Sequence, residues 1–224
     1  MTEFLLPGEK ELFFWINGAH SEFMDAVMSL YSSGKIWFPA ALSVLFAVVY
    51  KKSWKEWLLV LLFFVIVILV CDFVSARIFK PLVARPRPTS FPGVMESVRT
   101  LSGKISGRVS YGFISGHATQ AFGFAMFTSL LFRNKLYSWV IFLWAVIMAY
   151  SRIYLAAHFF SDVLGGAVMG MLVGFLLYRI YLLITRFGEK RNIVIPARYS
   201  DKRIRLLSLL LVAYIVSFSL IQLW

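Results

Sequence analysis

The chain has a single cysteine, Cys71, and it sits inside an apolar run. An intrachain disulfide and a cysteine-based metal cluster are thereby excluded. Acidic side chains are scarce, with 11 Asp and Glu against 23 Lys and Arg, for a net charge of +12. Charge of either sign is low, at 15% of 224 residues, where a soluble domain carries about a quarter. The N-terminus, Met1 to Lys10, is mixed and has no basic-then-apolar leader pattern, so the first spanning helix is expected to direct insertion itself. Low-complexity tracts, a convincing internal repeat and a soluble second domain are also missing.

What is abundant is apolar sequence, 60% of the chain. Trp57 to Cys71 carries no polar side chain beyond an indole and a thiol, and with its flanks it is long enough to cross a bilayer core. The reading is an all-α, polytopic membrane helix bundle forming one membrane-embedded domain over 1–224. Six spans are expected, near 35–50, 56–78, 115–132, 136–152, 159–183 and 205–224. The segment 9–32 mixes Phe13, Phe14, Trp15, Phe23 and Met24 with Asn17, His20, Glu22 and Asp25, the pattern of an amphipathic helix lying at the interface.

A nucleic-acid binder can share this charge balance, but here the bases gather at the ends of apolar runs, so no nucleic-acid partner is expected. Lys51, Lys52 and Lys55, then Arg133 and Lys135, then Arg179, Arg186, Lys190, Arg191, Arg198, Lys202, Arg203 and Arg205 fall on one side of a six-span chain. By the excess of Lys and Arg that side should be cytoplasmic. The connection 79–113 then faces outward, yet it too is basic, with Lys80, Arg85, Arg87, Arg99, Lys104 and Arg108. An anionic substrate is one reason for an outward segment to carry such charge.

Three clusters on that outward face carry candidate chemistry. The first threads Lys80, Arg85 and Arg87 among Pro81, Pro86 and Pro88. Bases at helix ends also snorkel with no further role, but proline fixes torsions and reduces the entropy of holding converging cations on a phosphate. The second is Ser115-Gly116-His117. Ser115 suits an N-cap, and Gly116 lets an anion oxygen approach the exposed N–H groups of a helix start. His117 is otherwise an interfacial histidine. The third is Ser151-Arg152, His158 and Asp162. His158 and Asp162 are four apart, so a helix puts them on one face, where the carboxylate can fix the imidazole tautomer. The competing reading is a purely structural pair.

Lys80-(six residues)-Arg87-Pro88, Ser115-Gly116-His117 and Ser151-Arg152-(five residues)-His158-(three residues)-Asp162 together resemble the three-part signature of the type 2 phosphatidic acid phosphatase (PAP2) family, over residues 80–162. One departure is Ile114, where the family usually has proline. The resemblance implies that His158 is a nucleophile forming a phosphohistidine, that Asp162 orients it, and that His117 protonates the leaving lipid oxygen. It implies a phosphate clamp of Lys80, Arg87 and Arg152, with Ser115 and Gly116 adding donors. No metal or other cofactor is expected, and no obligate protein partner. The bilayer and a membrane lipid phosphate are the expected partners.

The expected activity is hydrolysis of a lipid phosphate monoester or diphosphate, with undecaprenyl diphosphate or lipid A 1-phosphate favoured. Phosphatidylglycerol phosphate, phosphatidic acid, transfer to an acceptor other than water, and anion or lipid transport are the alternatives. The expected location is the bacterial inner membrane, with the site facing the periplasm or exterior. Gly166, Gly170 and Gly174, spaced by four, point to close helix packing. Asp72 either supports the clamp or reaches interfacial water. Arg99, Lys104 and Arg108 either meet a second phosphate or form a solvated basic face.

Overall fold

The computed structural model describes residues 5–101, 110–190 and 199–221. Lys104, Arg108, Arg191 and Arg198 lie outside the described residues. Every regular element among the described residues is a helix, and β-type pairing is limited to an isolated bridge between Pro86 and Tyr111.

Helix α4, Trp54–Phe73, starts at a capping box in which Ser53 Oγ accepts the Glu56 N–H and the Glu56 carboxylate accepts the Ser53 N–H. It runs through a π-helical turn, Val74–Phe79, into the short α5, Lys80–Val83, as one 30-residue apolar rod. Ala84 then turns left-handed with φ 49°, and Pro86 and Pro88 end any continuation. Helix α6, Gly116–Phe132, is followed within three residues by α7, Lys135–Tyr154, which Asn134 caps by accepting the Tyr137 N–H at 2.9 Å. Helices α8, Phe160–Lys190, and α9, Asp201–Ile221, complete the bundle.

Four helices are long and apolar enough to cross a membrane: α4 with α5, α7, α8 and α9. The expected first span at 35–50 appears as a 3-10 turn, Gly34–Trp37, leading into α3, Phe38–Val49, bent by 69° from the preceding helix α2, Glu22–Ser32. At 1.5 Å per residue the 12-residue α3 covers only about 18 Å, so it reaches crossing length only when counted with its bent neighbour, which brings the candidate spans to five. The remaining expected span corresponds to α6, whose 17 residues reach about 26 Å and which is not among the helices long and apolar enough to cross.

Helix α6 is the centre of the bundle, with Ala118, Phe122, Ala125 and Phe127 buried on different faces. It owes this position to α8, which packs on it through the glycines at four-residue spacing. A Cβ on Gly166 would stand 2.7 Å from the Ser115 carbonyl oxygen, and one on Gly170 would run into the Thr119 carbonyl. The close packing expected of these glycines is present. It brings the first residues of α6 and α8 side by side, where Ser115 N–H donates to the Asp162 carbonyl at 2.9 Å.

The three basic connections meet at one end, as the charge pattern predicts. Arg203 donates to the Tyr50 carbonyl at 2.8 Å, Lys52 lies over the Tyr199 ring at 5.4 Å, and Asn134 donates to Asp201 at 2.6 Å. At the opposite end the segment 9–32 is two helices, α1, Glu9–Gly18, and α2, rather than one. Both turn residues inward: Glu9, Phe13, Asn17, Val27 and Tyr31 are buried. Asn17 closes this cover by donating to the carbonyls of Arg99 and Tyr154 at 3.0 and 2.9 Å.

Candidate active site

The ends of α4–α5 and α7 and the starts of α6 and α8 converge under that cover. Each candidate residue is placed there by its local chain. Arg152 lies in the last turn of α7, and its carbonyl accepts the N–H groups of Ala157 and His158 at 2.9 and 3.2 Å. This turn, with Ala156 at φ 56°, fixes the distance from Arg152 to His158. Asp162, in the first turn of α8, is 0% exposed. Its Oδ2 accepts the Phe159 N–H at 2.9 Å and faces His158 Nδ1 at 3.4 Å. Nδ1 is therefore the ring nitrogen held by the carboxylate, and Nε2 is left for chemistry.

Burial is the main influence on His158, whose ring is 2% exposed, and it lowers the imidazole pKa to about 4. The Asp162 hydrogen bond and charge oppose the shift, while Arg87 and Arg152 add to it. The ring is neutral at pH 7, as an attacking nitrogen must be.

The prolines after α5 carry the clamp segment back across the site. Gly112 N–H donates to the Arg85 carbonyl at 2.8 Å and Arg87 N–H to the Ser110 carbonyl at 3.0 Å. Arg87 Nε also donates to the Tyr111 carbonyl at 3.3 Å. Gly112 has to be glycine here, since a Cβ would lie 2.8 Å from Asp162 Oδ2. Lys80, Arg87, Arg152 and His158 all lie within electrostatic range of His117. Arg152 donates Nη1 to Ser32 Oγ, and its Nε is buried without a hydrogen-bond partner. Ser115 is fully buried as the N-cap of α6, and Gly116 packs against Ser75 of the π-helical turn. All eight candidate residues are thus at one end of the bundle.

His117 is exposed and faces a cavity of about 510 Å³. The cavity runs down from His117 and Gln120 between α3, α4, α6, α7 and α9, past Phe124, Trp144 and Leu211. Its lining is almost wholly apolar. Of the candidate site residues, His117 is the one that lines it.

Other residues sort differently. Asp72 accepts from Gln120 Nε2 at 3.3 Å, bridging α4 and α6 beside Lys80. Arg99 is held by α2, its Nη2 at 3.3 Å from Asp25, and does not reach the site. Arg85, one of the bases in the sequence cluster, is a core residue. It is 3% exposed, ion-paired with Asp162, bonded to Ser161 Oγ at 2.8 Å, and 3.6 Å from Glu9. A signal for Arg85 did exist: Asp162 falls in an apolar helix and one neutral histidine is a weak counterpart for it. Glu9 gave no such signal.

A membrane bundle that gathers cations and imidazoles at the head of an apolar cavity defines an enzyme acting on a phosphorylated amphiphile. The chain belongs to the PAP2 superfamily, whose pattern matches residues 57–186. It is an integral membrane phosphoric ester hydrolase of lipid metabolism. It is 36% identical over 215 residues to a lipid A 4′-phosphatase of Porphyromonas gingivalis, covering 95% of this chain and 90% of that protein. A lipid A 4′-phosphatase of Bacteroides thetaiotaomicron is 34% identical over 179 residues, 80% of this chain and 79% of that one. A transmembrane PAP2-type phosphatidylglycerolphosphate phosphatase from Bacillus subtilis shares the fold, with a TM-score of 0.57 at 23% identity over 81% of this chain and 88% of its own.

Proposed function

We propose that the protein removes the 4′-phosphate of a lipid A-type glycolipid, through a phosphohistidine on His158, from the outer leaflet of the inner membrane. The observation that carries the reading is the placement of His117 between the cation cluster and the apolar cavity. A lipid whose chains enter the cavity sets its phosphate among Lys80, Arg87 and Arg152 and its bridging oxygen toward His117. Two relatives named for the 4′-phosphate, matched over most of their length, support that position on the lipid. The 1-phosphate expected from the sequence has no such support.

The His158 Nε2 lone pair attacks phosphorus as the bond to the lipid oxygen breaks, and His117 gives that oxygen its proton. Water then attacks phosphorus, the P–N bond breaks, and the water proton passes to His117. The transition state spreads negative charge over three equatorial oxygens, which the three cations and the N–H groups at the start of α6 stabilise. Asp162 fixes the His158 tautomer throughout. The bases at the opposite end support a cytoplasmic side there. With the bent pair and α6 counted, the chain crosses six times.

The test is purified protein in detergent with bis-phosphorylated lipid A, undecaprenyl diphosphate and phosphatidylglycerol phosphate, with His158→Ala as control. Phosphate release from lipid A, located at the 4′ position by fragment mass spectrometry and absent from the variant, is expected. Release only from the 1 position, or only from another lipid, overturns the substrate. Undiminished release by His158→Ala overturns the mechanism.

A further inference from the structure

The N-terminal helix sends one carboxylate into the site, and nothing in the reaction described above uses it. Glu9 is 3% exposed, far below what a glutamate in the first turn of a surface helix shows. Its Oε1 accepts the Ser161 N–H at 2.6 Å, one of the unpaired donors at the start of α8. Its Oε2 accepts the Leu6 N–H at 3.0 Å and lies 3.6 Å from Arg85 Nη1. The other guanidinium nitrogen, Nη2, is paired with Asp162. The Phe113 and Phe159 rings face the guanidinium, each with its centroid 5.4 Å away. Glu9, Arg85, Asp162 and His158 therefore form one buried chain of alternating acid and base, ending on the imidazole.

We propose that Glu9 is a positioning residue for the His158–Asp162 pair, acting through Arg85 and through the first turn of α8. The proposal rests on the reading of His158 as nucleophile. The reason is electrostatic. Asp162 divides its charge between Arg85 and His158. An arginine with Asp162 as its sole counterion would draw the carboxylate toward itself and weaken its hold on the imidazole. Glu9 balances that pull from the far side. At the same time it pins Ser161, the neighbour of Asp162, from outside the helix. A charge at such depth is tolerated because each member has a partner of opposite sign. Helix α1 is also braced against the site by Phe13, whose ring lies 5.3 Å from that of Phe159, next to the nucleophile.

Glu9→Gln tests this, because it keeps the shape and an acceptor for Ser161 while removing the charge. Glu9→Asp keeps the charge. Full-length wild type, both variants and His158→Ala are assayed in detergent on bis-phosphorylated lipid A, with inorganic phosphate as a competitive probe of the clamp and a thermal melt for each. For Glu9→Gln the expected result is a kcat lower by about 10- to 100-fold, the scale seen when a group that orients a functional imidazole is lost. KM and the phosphate inhibition constant should stay within about twofold, because Glu9 does not touch substrate. Glu9→Asp should recover most of the loss.

A Glu9→Gln kcat within about twofold of wild type overturns the proposal. So does a loss that Glu9→Asp fails to recover and that follows a lower melting temperature and weaker phosphate inhibition, because Glu9 is then only a strut. Wild-type turnover no greater than that of His158→Ala sinks the proposed reaction at His158, and this proposal with it.

Discussion

At the residue scale the two imidazoles of the candidate site differ in exposure. His158 is sealed in a turn against Asp162, while His117 looks into an open cavity. Burial holds the His158 pKa at about 4 where an exposed imidazole has about 6.5. The chain has three histidines, so carbon-13 NMR of labelled imidazoles can follow each one. The signal that His158→Ala removes should titrate near pH 4, and a midpoint near 6.5 for it would contradict the burial argument. The sign for stability follows. Between about 6.5 and 4 the unfolded chain binds a proton that the folded chain refuses, so this group lowers stability as pH falls through that window and is neutral above it. In the first step His117 should act on the leaving oxygen, and kcat/KM reads that step without the later attack of water. His117→Ala is expected to cost roughly 10²–10⁴-fold in kcat/KM on an alkyl phosphate, and far less on p-nitrophenyl phosphate, whose leaving group needs no proton. Equal losses on the two substrates would remove His117 from the acid role.

Much of the site could be read in the sequence at this scale, because its parts are local. Ser115 at the start of a helix, and Asp162 one helical turn after His158, are statements about neighbours in the chain. Arg85 and Glu9 could not be read in that way. Arg85 sits in the same proline-rich stretch as Arg87, and nothing in the order of residues says that one turns into the core while the other faces the clamp. Glu9 reaches Ser161 across 152 positions, and only the folded bundle brings them together.

At the element scale, the geometry of the candidate site depends on the seam between α6 and α8, since that seam sets the first turn of one helix beside the first turn of the other. Gly170→Ala places a methyl group against the Thr119 carbonyl, and helix backbones move far less readily than side chains. Overpacking of this kind costs roughly 1–3 kcal/mol, which is about 2–12 °C in melting temperature for a chain of this size. Activity should fall with it, because Ser115 and Asp162 separate. Gly34→Ala, where nothing stands within 4 Å of the added carbon, should melt like wild type. A neutral Gly170→Ala would mean that the helices are not in close contact there. The glycine spacing was legible as packing, whereas the span count was not. Hydropathy finds long apolar rods, but α6 is short, central and shielded by its neighbours, and α3 reaches crossing length only when counted with its bent neighbour α2.

At the scale of the whole molecule, the N-terminal cover, the cation cluster and the apolar cavity form a single path for an amphiphile. In the proposed reaction the headgroup would lie beneath α1 and α2, and the hydrocarbon would descend between α3, α4, α6, α7 and α9. The cavity is the feature least accessible to sequence reading, since a void is bounded by residues from five helices, and each apolar wall residue looks like ordinary core. Its volume of about 510 Å³ is within the range that holds a sizeable ligand portion. Narrowing it should therefore separate substrates by chain rather than by headgroup. Ala121, 4% exposed, lies one helical turn below His117, and Val44, 5% exposed, lies on the α3 wall. Ala121→Phe or Val44→Phe is expected to lower kcat/KM on a long-chain lipid phosphate by about 10-fold or more, which corresponds to about 1.4 kcal/mol of lost chain burial. Turnover of p-nitrophenyl phosphate, which has no chain to place, should change by less than about twofold, because neither side chain touches the phosphate. Equal losses on the two substrates would mean that the helices had shifted at the catalytic end. If the long-chain rate were unchanged, the hydrocarbon would have to lie outside the bundle, against the exposed apolar faces of α4 and α8, and the cavity would have no part in choosing the lipid.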